Sequence, residues 1–270
     1  MFNSHEYFSR INLTKEEITL DVSGLRKIYL AHLHTFTFEN IDCLLGNEIK
    51  LDLDSLYSKI ILNKRGGYCF ELNLFFHAAL KELGFDAEIY LARVFYRGTG
   101  VNAKTHLTVI VSIENEKYIA DAGFGGPGPE DLLKFELDTI QKLFNYNFKI
   151  IEDQEFGYMV QRETDSIFKN VFAFEFDKVY PADLEMSNFY VSNLPTSAFL
   201  NNINICQFNK LGRKSIFNDN FNNFEYQKLT TNKINTFIDF KNVLIDEFKF
   251  DFKETEWQIL ENKFNAFKTK

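Results

Sequence analysis

Cysteine is scarce in this chain of 270 residues. The three cysteines, Cys43, Cys69 and Cys206, form no Cys-x-x-Cys pair and show no metal-ligand spacing. A sparse, odd-numbered set in a chain this long argues against a disulfide framework and favours a reducing compartment. We therefore expect no structural disulfide, no metal site and a cytoplasmic location.

Long apolar runs and basic clusters are missing as well. No stretch approaches 18 apolar residues, so we expect no membrane span, and the first residues lack the basic and apolar regions of a signal peptide. The 30 Lys and Arg residues against 38 Asp and Glu residues give a net charge of −8, and no basic run reaches five residues. Because a nucleic-acid partner usually needs a basic face, the composition argues against one.

Phenylalanine is abundant, with 31 residues in a chain that is 16% aromatic. The simplest interpretation is a core packed with large side chains. The same residues are also suited to line an apolar ligand pocket.

The hydrophobic pattern changes twice along the chain, which predicts an α+β fold in three parts. Residues 1–84 show helical spacing of apolar residues, and residues 85–180 alternate as in a small antiparallel barrel or curled sheet. In the second part we expect a strand from Asp86 to Tyr96, followed by a turn at Arg97–Gly100. Residues 181–270 mix both patterns, and we expect the three domains to share one core.

A cysteine stands where a new helix begins, in the run Arg65-Gly66-Gly67-Tyr68-Cys69-Phe70-Glu71-Leu72. Apolar spacing predicts that this helix extends to Leu83, with Gly84 after its end. A thiol at a helix N-terminus feels the partial positive charge of the unpaired N–H groups, which favours the thiolate. The two glycines allow a tight turn or a close backbone approach. We interpret Arg65 and Glu71 as a candidate ion pair that holds the turn.

A nucleophilic cysteine needs a base and a group that orients the base. His106 begins a predicted strand, and Asp121 ends the returning strand of the same hairpin. Residues facing each other across a hairpin have Cβ atoms about 4.5–5.5 Å apart, which suits a histidine–carboxylate hydrogen bond. We therefore predict Cys69 as nucleophile, His106 as base and Asp121 as the orienting acid, with the Cys69 N–H as an oxyanion donor. From the residues alone a structural interpretation of each stays open.

The run from Arg65 to Asn73 closely resembles the active-site motif of the arylamine N-acetyltransferases. Further similar blocks follow the family's order: Phe38-Glu39-Asn40-Ile41-Asp42, Ala92-Arg93-Val94, Thr105-His106-Leu107, Asp121-Ala122-Gly123-Phe124-Gly125-Gly126, Ser187–Ser192 and Pro195–Phe199. The family pattern is not kept at two places in the chain. Thr37 stands where the family usually has proline, and Ser192-Asn193-Leu194 stands where Ser-Thr-His is common.

The resemblance implies a helical first domain, a β-barrel second domain and an α/β third domain that acts as a lid, with a papain- or transglutaminase-like core. It implies a catalytic triad of Cys69, His106 and Asp121, acetyl-CoA as donor, and arylamines, arylhydrazines or N-hydroxyarylamines as acceptors. The resemblance also implies that Phe38, Phe124 and Thr105 contact the acceptor. It implies that Gly125 and Gly126 contact the cofactor, where their N–H groups are suited to form an anion nest.

Three alternatives use the same residues. A macrolactam-forming amide synthase and a cysteine hydrolase would employ the same triad on other acyl groups. A catalytically silent CoA- or ligand-binding module would keep the cavity without the reaction, and we expect it to lack a reactive thiolate at Cys69.

Overall fold

The computed structural model describes residues 4–95, 102–226 and 228–268. The first part of the chain is mainly helical, as predicted. Its elements are α1 (Ser4–Arg10), α2 (Val22–Thr35), β1 (Phe38–Glu39), α3 (Ile41–Leu45), α4 (Leu53–Tyr57) and α5 (Cys69–Leu83). A π-helical turn, Ser58–Leu62, continues α4. Strand β1 was not expected from the helical spacing of this part of the chain.

Helix α5 is the central element of this part, and its predicted limits are confirmed. It begins at Cys69, and Gly84 ends it in the left-handed conformation with a φ of 96°. Its apolar residues Leu72, Phe75 and Phe76 are completely buried in the main core. The packing fixes the helix firmly, so its first residue has a defined position.

The second part forms an eight-stranded antiparallel sheet that nearly closes into a barrel. The strands are β2 (Asp86–Val94), β3 (Lys104–Ile113), β4 (Glu116–Ile119), β5 (Leu133–Lys134), β6 (Gln141–Leu143), β7 (Tyr146–Asp153), β8 (Gly157–Thr164) and β9 (Ile167–Phe174), in the order β5-β4-β3-β2-β9-β8-β7-β6. The Gln141 side-chain amide bonds to both backbone groups of Lys134, which joins the two edge strands. Tyr96 and the predicted turn at 97–100 lie outside the described residues.

A second sheet and four helices complete the fold. They are α6 (Pro181–Asn193), α7 (Ala198–Asn201), β10 (Asn204–Asn209), β11 (Gly212–Phe217), β12 (Asn220–Glu225), β13 (Lys228–Lys233), α8 (Phe237–Phe248) and α9 (Glu254–Lys268). Strand β1 pairs with β10, so the first part of the chain supplies an edge strand to this sheet.

One face of the second sheet packs on α8 and α9 through Ile205, Ile216 and Leu244. The observed helices and barrel confirm the predicted α+β fold, whereas the domain limits at residues 84 and 180 stay a prediction. Among the described residues, no helix combines the length and the apolar character that a membrane crossing requires.

Candidate active site

Cys69 is the first residue of α5, and it is held there by contacts on both sides. Tyr68 is extended and donates its N–H to the Glu71 carboxylate at 3.0 Å. The Cys69 side chain is almost fully buried, and its Sγ lies 3.7 Å from the carbonyl oxygen of Thr105 on β3. The thiol is therefore fixed between the helix start and the barrel.

The glycine pair before Cys69 serves a close backbone approach. A Cβ on Gly66 would lie 1.9 Å from the carbonyl oxygen of Thr37. Gly67 donates its N–H to Thr37 and accepts the Glu39 N–H at 2.9 Å. Because the chain passes directly against β1 here, only glycine fits. A tight turn or a close backbone approach was expected of these glycines, and the structure shows the close approach.

His106 and Asp121 meet at the open end of the hairpin formed by β3 and β4. The register pairs Ile110 with Ile119, which places Asp121 diagonally opposite His106. The His106 Nε2 lies 2.5 Å from Asp121 Oδ2, and both side chains are buried. The hairpin predicted from the sequence therefore brings the predicted base and the predicted acid together.

The charge of His106 is set by competing effects. Burial alone lowers its pKa, but the Asp121 carboxylate and a hydrogen bond with Cys69 outweigh burial and raise the pKa to about 10. This shift favours the protonated imidazole at neutral pH. With Nε2 engaged by Asp121, Nδ1 is the nitrogen left for the thiol.

Asp121 accepts hydrogen bonds from three residues that were not among the predicted site residues. Asn73 Nδ2 lies 2.8 Å from Asp121 Oδ1, and the Gly123 N–H donates to the same oxygen at 3.2 Å. The Tyr29 hydroxyl donates to the Asp121 carbonyl at 3.1 Å. The signal that points to Asn73 is its spacing, since it lies four residues after Cys69 on the same face of a predicted helix.

The predicted ion pair between Arg65 and Glu71 is wrong. Arg65 instead binds Glu39 at 2.9 Å and Asp42 at 3.4 Å, whereas Glu71 binds Lys59 at 2.7 Å. Glu71 turns away because it caps the start of α5 and faces the π-helical turn that carries Lys59. Lys59 also binds Asp42 at 2.6 Å, so all five side chains form one cluster.

A cavity of about 580 Å³ opens beside the thiol and the imidazole. Of the eight candidate residues, only Asp121 does not line it; the seven that do are Phe38, Cys69, Thr105, His106, Phe124, Gly125 and Gly126. The Phe124 ring packs edge-on against the His106 ring, with centroids 4.8 Å apart. The site therefore places the thiol and the imidazole beside aromatic walls.

Similarity to known proteins agrees with this geometry. A family model described as N-acetyltransferase matches residues 21–257. The chain is 31% identical over 223 residues to an arylamine N-acetyltransferase of Escherichia coli K12, an alignment that covers 82% of this chain and 79% of the relative. The chain belongs to the arylamine N-acetyltransferase family. It is accordingly an acyltransferase.

Solved structures of the family have the same fold. The arylamine N-acetyltransferase of Salmonella typhimurium is 27% identical and superposes with a TM-score of 0.90 over 98% of both chains. That of Mycobacterium marinum, solved in complex with CoA, is 23% identical with a TM-score of 0.87 over 98% of this chain and 99% of the other. Membership of this family does not favour the amide synthase or the silent binding module.

The glycine loop shows how this family member builds the cavity rim. Gly125 and Gly126 both have left-handed φ angles, 68° and 67°. A Cβ on Gly125 would lie 2.6 Å from the Phe38 ring, whereas a Cβ on Gly126 would meet open space. The Gly126 N–H donates to the Cys206 thiol at 3.2 Å, so one donor of the expected anion nest is already engaged. Cys206 was not among the residues predicted for the site.

Proposed function

We propose that this chain transfers the acetyl group of acetyl-CoA to arylamines and arylhydrazines through an acetyl thioester on Cys69, and that it also O-acetylates N-hydroxyarylamines. The observation that carries the proposal is the continuous chain from Cys69 through His106 to Asp121, with the thiol and imidazole facing an aromatic-lined cavity. A protonated imidazole next to a thiol stabilises the thiolate, which is the reactive form.

In the first half-reaction the Cys69 thiolate attacks the acetyl carbonyl carbon. The bond between that carbon and the CoA sulfur breaks, and the departing sulfur takes the proton of the His106 imidazolium. CoA leaves as a thiol, and the acetyl group remains on Cys69. The N–H of Cys69 is among the amides at the start of α5 that have no acceptor within the helix, so it is suited to stabilise the oxyanion.

In the second half-reaction the amine nitrogen attacks the thioester carbonyl, and neutral His106 accepts its proton. The carbon–sulfur bond breaks, Cys69 leaves as the thiolate, and the acetylated amine departs. An arylamine suits this step because its low basicity leaves it neutral at pH 7. After both steps the thiolate and the imidazolium are restored, so protons balance over the cycle.

The cavity suits both substrates. A volume of about 580 Å³ lies within the usual range of about 300–1,000 Å³ for small-molecule sites. Phe38 and Phe124 offer apolar surfaces for an aromatic ring next to the thiol. The CoA bound by the Mycobacterium marinum relative supports a CoA thioester as donor.

The decisive test compares wild type with Cys69→Ala in acetyl-CoA-dependent turnover of a panel of arylamines, arylhydrazines and N-hydroxyarylamines. Wild type should release CoA and carry a transient acetyl group on Cys69, whereas Cys69→Ala should keep its fold and lose transfer. Cys43→Ala is the matched control, because burial raises the pKa of Cys43 to about 12 and it lies outside the cavity. Near-full transfer by Cys69→Ala would refute the proposal. Turnover of carrier-bound acyl chains alone would favour an amide synthase.

A further inference from the structure

Asn73 connects the nucleophile helix to the acid of the triad. Its side chain is fully buried, and Nδ2 lies 2.5 Å from the Leu107 carbonyl oxygen and 2.8 Å from Asp121 Oδ1. Leu107 follows His106 on β3, so the amide contacts the strand of the base and the carboxylate of the acid together. Cys69 lies one helical turn earlier on α5.

The chemistry of the contact requires an amide. Both partners of Nδ2 are acceptors, so the group between them has to supply two N–H donors. An aspartate of nearly the same shape would place a second carboxylate against Asp121. Asn73 Oδ1 has no hydrogen-bond partner among the described residues, so the donors are the functional half of this side chain.

The packing around the amide leaves it little freedom. A Cβ on Gly123 would lie 2.8 Å from Asn73 Nδ2, so the glycine loop closes directly over the amide. Asp121 Oδ1 takes its two bonds from Asn73 and the Gly123 N–H, which leaves Oδ2 for His106. Asn73 and the Gly123 N–H thereby fix the rotation of the carboxylate about its Cβ–Cγ bond, and with it the angle at which the second oxygen faces the imidazole.

We infer that Asn73 is a positioning residue of the acetyl transfer: it holds Asp121 in the orientation that lets its Oδ2 bond to His106 next to Cys69. This inference rests on the proposed function, since it assigns Asn73 a role within the same triad. It predicts that loss of the amide weakens the thiolate–imidazolium pair without altering the cavity wall, because Asn73 does not line the cavity.

Helix α5 offers a matched control one turn further on. Cys69, Asn73 and His77 follow one another at intervals of four residues, and each contacts a backbone carbonyl oxygen of the barrel. Cys69 contacts Thr105, Asn73 contacts Leu107, and His77 contacts Ala87. His77 Nε2 bonds to Ala87 at 3.1 Å and is remote from Asp121 in the register of the sheet. His77→Leu therefore removes the same kind of helix-to-sheet contact without touching the triad.

The test measures the pH dependence of Cys69 alkylation by iodoacetamide, followed by mass spectrometry, together with kcat and KM. In Asn73→Leu we expect the midpoint of alkylation to rise by roughly one pH unit, since a hydrogen bond to a charged group has about that strength. We expect kcat to fall on the order of tenfold to a hundredfold with KM nearly unchanged, as for a small misplacement of catalytic groups. Asn73→Gln should recover part of both values, and His77→Leu should leave both at the wild-type level.

The outcomes separate this inference from the function on which it rests. An Asn73→Leu protein that folds with the wild-type alkylation midpoint and kcat would reduce Asn73 to a structural residue and overturn the inference. If Asn73→Leu does not fold, Asn73→Ala is read in the same way, because it leaves room for water beside Asp121. A shifted alkylation midpoint in a protein that never acetylates an amine would refute the proposed function and leave the positioning role standing.

Discussion

Two buried polar clusters meet at the start of α5, and they are built in opposite ways. The first, here called the charge cluster, holds five charged side chains: Glu39, Asp42, Lys59, Arg65 and Glu71. The second, the triad cluster, holds one carboxylate, one imidazole, one thiol and one amide: Asp121, His106, Cys69 and Asn73. Both contain strongly perturbed groups, but none of the five charged side chains lines the cavity.

The charge cluster has three carboxylates for two cations, so one carboxylate is less well compensated than the others. Burial raises the pKa of Glu71 to about 6 despite its bond to Lys59. Asp42 is also buried, but Lys59 and Arg65 outweigh that effect and lower its pKa to about 2. Lys59 faces all three carboxylates, which outweigh its own burial and raise its pKa. The ion pairs of this cluster connect β1, α3, the π-helical turn and the start of α5, and they thereby hold the turn before Cys69 in place.

The comparison shows that a perturbed pKa does not by itself identify a reactive group. Glu71 and His106 are both buried and both have a raised pKa, yet of the two only His106 lines the cavity and contacts the proposed nucleophile, Cys69. We therefore expect removal of a charge-cluster residue to lower the free energy of unfolding, and removal of a triad residue to lower the rate of transfer.

The largest stability change should come from Lys59→Met. This change leaves Asp42 and Glu71 buried with Arg65 as the remaining cation of the cluster, and removing one partner of a buried ion pair typically costs about 3–5 kcal/mol. Urea unfolding followed by circular dichroism measures the loss. Cys69→Ala, which removes a thiol from the other cluster, should lower the free energy of unfolding by no more than about 2 kcal/mol.

Lys27→Met provides the matched control for Lys59→Met. Lys27 binds Glu17 at 2.9 Å, but both side chains are more than 40% exposed. Exposed pairs contribute about 0–1 kcal/mol. If Lys59→Met costs no more than Lys27→Met, the charge cluster does not hold the turn and the contrast with the triad cluster fails.

The sequence predicts the parts of the site that depend on local pattern. The Gly-Gly pair and the apolar spacing place Cys69 at the helix start, and the hairpin alternation places His106 near Asp121. Within one hairpin the register is constrained by a short turn, so a contact over fifteen residues follows from sequence.

Contacts between distant elements could not be predicted in this way. Asn73 reaches Asp121 only because α5 packs across β3, and Gly126 reaches Cys206 only because the second sheet lies over the glycine loop. The partners of Arg65 depend likewise on how β1 and α3 lie against the π-helical turn. Helical and strand periods determine which face of an element is buried, but not which polar group on another element it meets.

The triad cluster should make stability depend on pH in a defined direction. The pKa of His106 is about 10 in the folded chain against 6.5 for an ordinary histidine, so folding favours its protonated form. Its contribution is therefore fully present below about pH 6.5 and is lost as the pH rises towards 10. Between these limits we expect a decline of at most about 1.4 kcal/mol per pH unit.

The measurement compares urea unfolding of Cys69→Ala with that of Cys69→Ala/His106→Gln between pH 6 and pH 10. Using the alanine background removes the titration of Cys69 from the comparison, while Asp121, the stronger influence on His106, remains. The difference between the two curves should shrink with rising pH. Parallel curves would show that Asp121 does not favour the charged imidazole.

The smallest effect should distinguish the two glycines at the cavity rim. Gly125 and Gly126 have nearly the same φ, so alanine should cost each about 1–2 kcal/mol of left-handed strain. Only at Gly125 does the new Cβ also meet the Phe38 ring, at 2.6 Å, and such overpacking typically costs at least about 1 kcal/mol more. Gly125→Ala should therefore unfold at lower urea than Gly126→Ala and raise the KM for the arylamine, because Phe38 has to move. Gly126→Ala should leave the KM for the arylamine nearly unchanged, since its Cβ meets open space. Equal effects of both variants on the KM for the arylamine would show that the contact of Gly125 with Phe38 does not shape the acceptor side of the rim.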